Sequence, residues 1–342
     1  MLTPQLLGIV MGPSWRPLHE DRHGALELLD AAASDARAAG HPEEAEALAF
    51  HRKEIEEGKT AGGLLRGPDG QVWGIAVWTV LRDKGRRISP VYLAKERQNP
   101  AGWTQFLSFL LESPDPSGPV LLFNSPLPGF AESGAVPFLA ARGFHLFHRY
   151  NLAYPPGGAL PAEPPRPMVG GRLRTLSSAD LEPLAVLSAA CYAHSVDRFL
   201  FGEETEPLTA ARSLLGSLFQ GQFGTFVPDA SFGLEVDGTL RGATVVTRRP
   251  AYYLLADVEV HPSVQGQGHA RRLIRATLQA LSTDTETPLA LSVTQQNGVA
   301  FQLYRNLGFV VRQGPFTFWA DTATLGVSPP SGAVGDSGPA AR

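Results

Sequence analysis

The feature that most constrains the fold of this chain is an internal repeat with an offset of about 165 residues. Asp69-Gly70 precedes the apolar run QVWGIAVWTV, and Asp237-Gly238 precedes the run TLRGATVVTR. Later in each half, AVPFLAARGF ends at Phe144 and AFQLYRNLGF ends at Phe309. An offset of this size indicates a duplicated domain, because solenoid repeats are only ~20–50 residues long. The 342 residues are therefore predicted to form two similar domains.

A stretch rich in proline and glycine separates the two copies of the repeat. It is YPPGGALPAEPPRPMVGG, from Tyr154 to Gly171, and its composition disfavours regular hydrogen-bonded structure. We expect a first domain over residues 1–155, a linker over 156–171 and a second domain over 172–325. The Pro-, Gly- and Ser-rich residues 326–342 are expected to form a mobile tail.

Apolar periodicity and turn residues predict the elements of the second half. The predicted strands are Arg172–Leu176, Ser231–Val236, Leu240–Thr247, Tyr252–Val260 and Leu289–Thr294, with two further strands beginning at Phe309 and at Phe316. The predicted helices are one that begins near Ser177 or Ser178, and those at about Leu208–Phe219, Gly268–Leu281 and Val299–Leu307.

Composition excludes several classes of protein. Hydrophobic residues make up 43% of the chain, which is enough for sizeable cores, and the formal charge of −4 argues against nucleic acid as a partner. We expect no membrane span and no signal peptide, and hence a cytoplasmic location. The single cysteine, Cys191, is interpreted as a buried helix residue, with a nucleophilic role as the alternative.

The most informative segment is VEVHPSVQGQGHARRLIRATL, a strand that is followed by a glycine-containing loop and a helix. The first amides of a helix are unpaired and carry a partial positive charge, so they can bind a pyrophosphate. Gly266 and Gly268 would allow the ligand to approach the backbone. A dinucleotide-binding loop is disfavoured because its third glycine is replaced by Arg271, and the Gly-Lys-Ser/Thr end of a Walker loop is absent.

The order of these pieces resembles the GNAT superfamily of N-acetyltransferases. The loop matches the superfamily pattern Q/R-x-x-G-x-G/A at Gln265, Gly268 and Ala270. The later pattern N-x-x-A-x-x-x-Y-x-x-x-G-F is matched from Asn297 to Phe309. The resemblance implies an α/β (α+β) fold with two GNAT-like domains, each a mixed, mostly antiparallel sheet flanked by helices.

The resemblance also implies roles for individual residues. The backbone of the strand would pair with the pantetheine arm of acetyl-CoA, the loop amides would hold the pyrophosphate, and Asn297 would bind the cofactor arm. Tyr304 would protonate the leaving thiolate, whereas without the motif it would be interpreted as a core aromatic. Arg271, Arg272 or Arg275 would reach the ribose phosphate or form a solvated helix face. The implied cofactor-binding residues are Val258, Glu259, Val260, Gln265, Gly266, Gln267, Gly268, His269, Ala270, Arg271, Asn297 and Tyr304.

The general base is left open between two acids. Asp257 and Glu259 are two positions apart, so both lie on the same face of their strand. Either acid could take a proton from the amine, and the alternative is that both face solvent. Histone-type members carry the base a few residues earlier, where this chain has Leu254. His194, Glu203 and Glu204 are expected near the acceptor pocket. No spacing of the nine histidines suggests a metal site.

The first half departs from the patterns at the positions that carry chemistry. Leu139 replaces the tyrosine, Glu132 replaces the asparagine, and KERQNPAGWTQFL, with Pro100, replaces the loop. This half is predicted to be a GNAT-like fold without activity that supports the structure or helps to form the acceptor pocket. A degenerate first domain followed by a working second one resembles the mycothiol synthases, although architecture does not fix a substrate.

These observations predict an acetyl-CoA-dependent N-acetyltransferase with its active site in the second domain. The acceptor would be a small-molecule or peptide amine that attacks the thioester directly in a ternary complex. The alternative is a non-catalytic sensor or scaffold that binds acyl-CoA. The sequence does not specify the acceptor, the acyl chain length or the oligomeric state.

Overall fold

A computed structural model describes residues 13–80, 86–112, 120–122, 132–160, 171–193, 197 and 206–321. Within these residues the chain forms two compact units. The first consists of residues 13–146 and 319–321 as far as they are described, and the second of 147–318. Residues 161–170 of the predicted linker, and the predicted tail, lie outside the described residues. Both units have a mixed, mostly antiparallel sheet with helices, which confirms the predicted fold class.

The first unit has the strand order β1-β2-β3-β4-β5-β13, in which only the β4–β5 pair is parallel. Its strands are β1 (Ser14–Pro17), β2 (Ala61–Arg66), β3 (Val72–Val80), β4 (Arg86–Leu93) and β5 (Val120–Leu122), with the end of β13 (Val310–Asp321). Its helices are α1 (Arg22–Ala38), α2 (Pro42–Glu56), α3 (Pro100–Glu112) and α4 (Glu132–Ala140).

The second unit has the strand order β13-β6-β12-β11-β10-β9-β7, with β8 paired to β10. Here only β11 and β12 are parallel among the pairs with a defined register. Its strands are β6 (Phe144–Tyr154), β7 (Arg172–Thr175), β8 (Thr225–Phe226), β9 (Phe232–Val236), β10 (Thr239–Arg248), β11 (Tyr253–Val260) and β12 (Leu289–Thr294). Its helices are α5 (Leu181–Tyr192), α6 (Pro207–Phe219), α7 (His269–Ala280) and α8 (Gly298–Asn306).

Local signals in the sequence account for most of these boundaries. The β9–β10 hairpin turns at Asp237 and Gly238, which have φ angles of 49° and 71°, as expected for a two-residue Asp-Gly turn. Ser177 forms a capping box with Asp180 just before α5. The prediction of separate strands from Phe309 and Phe316 was wrong, because β13 runs without interruption from Val310 to Asp321.

Strand β6 belongs to the second unit from Phe147 onward, although it precedes the proline-rich stretch. It pairs antiparallel with β12 over six residues, from Arg149 opposite Thr294 to Tyr154 opposite Leu289. Leu152 is fully buried in the core of this unit, and Tyr154 packs on Phe309 with ring centroids 5.5 Å apart. The sheet that supports the second half of the repeat is therefore completed by residues from the first half.

No α-helix in the described ranges has both the length and the apolar character that crossing a bilayer requires.

Replacing Leu152 with alanine tests the contribution of β6 to the second unit. We expect the free energy of opening β11 and β12 to fall by about 2–5 kcal/mol, because a buried leucine is replaced by a cavity. Hydrogen exchange of the β11 and β12 amides measures this change. Val311→Ala is the control, since Val311 is 40% exposed. Equal exchange rates in the two variants would show that β6 does not support the second unit.

Candidate active site

The site begins where two parallel strands separate. β11 and β12 are in register only at Tyr253 and Leu254, although both strands continue beyond these residues. Across β11, the register with β10 shifts between Leu255 and Asp257, which leaves Ala256 as a bulged residue. On the side of β12, the edge of β11 therefore has no strand partner beyond Leu254. Its backbone polar groups are available to hydrogen-bond an extended ligand.

A cleft opens between the separated strands. One part of its lining is the β11 segment from Leu254 to Val258, together with Leu291–Val293 of β12. Helix α8 contributes Asn297, Ala300 and Tyr304 to the same cleft. The structure thus brings Asn297, predicted to bind the cofactor arm, and Tyr304, predicted to protonate the thiolate, to the cleft beside the unpaired edge of β11.

The loop between β11 and α7 presents amides that the protein itself does not use. Gly266 and Gly268 have φ angles of 75° and 83°, and Gly268 is the N-cap of α7. The first bond of the helix is donated by Arg272 to the carbonyl of Gly268, at 3.1 Å. Within the described residues, the amides from Gly266 to Arg271 have no backbone acceptor, and no side chain caps the helix. This row of free donors fits a diphosphate.

The side chains of this loop fix its shape. Gln265 donates from Nε2 to the carbonyl of Val260 at 2.9 Å, which closes the loop onto the end of β11. Gln267 Oε1 lies 3.3 Å from Nε2 of His269, a buried residue whose pKa is lowered by burial and by Arg272. Arg272, one of the three arginines predicted to reach the ribose phosphate, donates from Nη1 to the carbonyl of Gly171 at 3.0 Å. This contact holds its side chain against the protein.

Glycine is required here for its backbone conformation. A Cβ atom added to Gly266 or Gly268 would meet no protein atom within 4 Å, so close packing does not select glycine at either position. Positive φ angles do select it, because they are unfavourable for residues with a side chain.

Tyr304 is buried beside Phe309, with ring centroids 5.6 Å apart, and it also lines the cleft. Its hydroxyl group has no hydrogen-bond partner in the described part of the chain. Burial raises its pKa, and the neighbouring charges of Asp257 and Asp197 raise it further. Tyr304 is therefore protonated at neutral pH.

Asn297 caps α8, and its Oδ1 accepts from the amide of Ala300 at 3.4 Å. Its side-chain oxygen is thus committed to the helix, whereas the Nδ2 group can donate to a ligand in the cleft.

Asp257 and Glu259 lie on the same face of β11, and this face is buried. Of the two positions left open by the sequence, the interior one is therefore correct. Asp257 accepts a 2.9 Å hydrogen bond from the hydroxyl of Tyr192 and lines the cleft. Burial raises the pKa of both carboxyls, and the charge of Asp257 raises the pKa of Glu259 further. The two residues are two positions apart on this buried face. Glu259 therefore holds a proton more strongly than Asp257 does.

Three further polar residues of the cleft were not predicted from the sequence, namely Arg149, Tyr192 and Asp197. Arg149 lies on β6 and forms a 3.0 Å ion pair with Asp197, which also accepts a 2.6 Å hydrogen bond from Thr294. They come from distant parts of the chain, with Arg149 on β6 and Tyr192 on α5, and no motif marks them. The predicted acceptor-pocket residues His194, Glu203 and Glu204 lie outside the described residues.

Cys191 lies half-buried on α5. Burial and the nearby Glu259 and Asp257 raise the pKa of its thiol, which opposes the nucleophilic alternative. The described ranges contain no group of three His, Cys, Asp or Glu residues that could hold a metal ion.

Part of the chain that contains this site is similar to a known protein family. Residues 191–309, which include the cleft, the loop and α8, match the acetyltransferase (GNAT) family. The match covers 119 of the 342 residues. The matched family consists of acetyltransferases. No curated protein matches the chain.

The chain is also similar to solved GNAT structures. A GCN5-related N-acetyltransferase from Sphaerobacter thermophilus is 17% identical, with 90% of this chain and 94% of that chain covered and a TM-score of 0.49. A tandem GNAT protein from the clavulanic acid biosynthesis pathway is 18% identical, with 90% and 97% covered and a TM-score of 0.46. A PaiA N-acetyltransferase from Thermoplasma acidophilum, in complex with coenzyme A, is 20% identical, with 44% and 98% covered and a TM-score of 0.35.

The loop of the first unit differs from that of the second unit in how its amides are used. Gln98 donates to the carbonyl of Leu93 at 3.0 Å, which repeats the contact of Gln265. However, α3 begins at Pro100, which has no amide proton, and Asn99 Oδ1 accepts from the amide of Gly102 at 3.0 Å. Leu139, at the position of the tyrosine, is fully buried. In the first unit, the chain itself thus lacks or pairs the amide donors that are free in the loop of the second unit.

Replacing Gly268 with alanine tests the conformation of the loop. The positive φ angle costs a side-chain-bearing residue about 1–2 kcal/mol, so we expect the Kd for coenzyme A to rise about tenfold. Isothermal titration calorimetry measures the change. Gly216→Ala is the matched control, because Gly216 also has open space around its Cβ position but lies within α6. Unchanged affinity in Gly268→Ala would contradict the assignment of this loop to the pyrophosphate.

Proposed function

We propose that the chain is an acetyl-CoA-dependent N-acetyltransferase that transfers an acetyl group to a primary amine in the second unit. The observation that carries the proposal is the row of free amides from Gly266 to Arg271, next to the edge of β11 that lacks a partner and to Tyr304. Acetyl-CoA supplies an activated acyl group as a thioester. Both substrates would be held together, so that positioning contributes much of the rate acceleration.

The residues of the cleft have complementary tasks in holding the donor. The loop amides from Gly266 to Arg271 would bind the pyrophosphate, and the backbone of Val258 to Val260 would pair with the pantetheine arm. Asn297 would donate to the arm through Nδ2. The main-chain groups near the bulge at Ala256 are the donors available to polarise the thioester carbonyl.

Asp257 is the proposed general base. It lines the cleft, whereas Glu259 does not, and its raised pKa brings a carboxyl closer to the range in which it can accept a proton from an amine. The hydroxyl of Tyr192 holds one of its oxygens in place. The nitrogen forms a bond to the carbonyl carbon, the C–S bond breaks, and the proton of the amine passes to Asp257.

Tyr304 is the proposed general acid for the departing sulfur. Its raised pKa keeps the phenol protonated until the thiolate forms, and the same buried surroundings raise the pKa of a thiolate formed beside it. Because the charge of Asp257 is one cause of the raised pKa of Tyr304, protonation of Asp257 makes Tyr304 a stronger acid. Proton uptake by Asp257 thereby promotes proton release by Tyr304.

Tyr304→Phe is expected to lower kcat by about 10²–10⁴-fold, since it removes a general acid and keeps the ring. The Kd for coenzyme A should change less than about threefold, because the phenol acts on the departing sulfur. Thiol release and calorimetry measure the two quantities. Tyr253→Phe is the control, because Tyr253 bonds Asp284 at 3.1 Å and does not line the cleft. Equal losses in turnover and binding would indicate a packing role.

The pH dependence of kcat/KM tests the base. Because the base must be ionised and the pKa of Asp257 is raised, activity should fall with decreasing pH at a higher pH than for an ordinary aspartate. Asp257→Asn should lose this acid limb and about 10²–10⁴-fold of the rate. Glu259→Gln removes the neighbouring acid and keeps Asp257, so it should retain the limb. An acid limb that persists in Asp257→Asn would remove Asp257 from the role.

Coenzyme A binding without thiol release across a broad panel of amines would contradict the proposed transfer reaction. That result would instead support the alternative in which the domain is an acyl-CoA sensor or scaffold.

A further inference from the structure

The cleft has a second part that the acyl donor does not account for. This part of the lining comes from α6 and from the turn after it, and it adjoins Leu254 at the start of the unpaired edge of β11. The side chains there are apolar, and they are Leu214, Leu218, Phe223 and Leu254. Leu218 is buried and the other three are half-buried. We call these four residues the apolar wall of the cleft.

The charges of the cleft are arranged around this apolar wall. Among the described lining residues, the charged ones are Arg149, Asp197 and Asp257. Arg149 and Asp197 neutralise each other through their 3.0 Å ion pair, and Thr294 supplies a further hydrogen bond to Asp197. Asp257 remains without a cationic partner among these residues, and one of its oxygens has no hydrogen-bond partner. The local field therefore favours a cation and opposes a carboxylate.

We infer that the acceptor is a hydrophobic primary amine, with an aryl or alkyl body and no acidic group next to the nitrogen. This inference rests on the proposed function. The ammonium group would meet Asp257, and the apolar body would lie against Leu214 and Phe223. An amino acid would place its carboxylate near Asp257, while Arg149 is engaged by Asp197.

The reaction with such an acceptor balances without a further reactant. The ammonium loses one proton before attack and a second on forming the amide, with Asp257 as the local acceptor that returns protons to solvent. The sulfur takes one proton from Tyr304, which is then reprotonated from solvent. The products are the N-acetyl amine and coenzyme A, and transfer replaces a cation with a neutral, less polar amide.

Matched pairs of amines test the inference with the full chain. Phenethylamine against ethylamine isolates the apolar body, and phenethylamine against phenylalanine isolates the carboxylate. We expect kcat/KM for phenethylamine to exceed each partner by at least about tenfold, the lower end of discrimination by an apolar pocket. A preference for ethylamine, for phenylalanine or for a polar polyamine would overturn the substrate class.

A variant of the apolar wall provides a second test of the substrate class. Leu214→Asn should lower kcat/KM for phenethylamine about tenfold more than that for ethylamine, since only the larger amine reaches the wall. Leu26→Asn is the matched control, because Leu26 is a half-buried helix residue of the first unit. Equal losses for both amines in Leu214→Asn would contradict the role of the wall.

An incorrect substrate class and the absence of acetyl transfer give different results in these experiments. If ethylamine or phenylalanine is the better substrate, the substrate class is wrong and the transferase stands. If coenzyme A binds in calorimetry and no amine in the panel releases thiol from acetyl-CoA, the proposed function itself fails.

Discussion

The early end of the parallel pairing between β11 and β12 is the constraint on which the rest of the site depends. Hydrogen bonds stop at Leu254, and the bulge at Ala256 turns the remainder of β11. Strand edges that lack partners are costly unless another molecule or water satisfies them. The same separation opens the cleft into which Tyr304 and Asp257 face, so the vacant backbone and the reactive side chains have one structural origin.

Much of the second unit was predictable because the relevant signals are local. The Asp237-Gly238 turn, the strand that ends at Val260 and the glycine-containing entry to α7 each depend on a few neighbouring residues. The partner of β12 was not predictable in this way. β6 precedes the proline-rich stretch, and its pairing with β12 joins residues more than a hundred positions apart, which no local pattern encodes.

The site shows the same division between local and distant effects. Alternation placed Asp257 and Glu259 on one face, but only the packing of α5 over β11 decides that this face is buried. The loop in the first unit retains the glutamine contact at Gln98 and loses the free amides to Pro100 and Asn99. Duplication has thus preserved the frame of the loop in both units, while single substitutions determine where an anion can bind.

The central claim is that the amides from Gly266 to Arg271 hold the diphosphate of coenzyme A. Hydrogen exchange of these amides, with and without coenzyme A, tests it most directly, since amides bonded to a ligand exchange more slowly. The account predicts slower exchange in peptides that cover Gly266 to Arg271 and no change in the corresponding loop from Gln98 to Thr104. Slower exchange in the loop of the first unit, with none after Gln265, would contradict it.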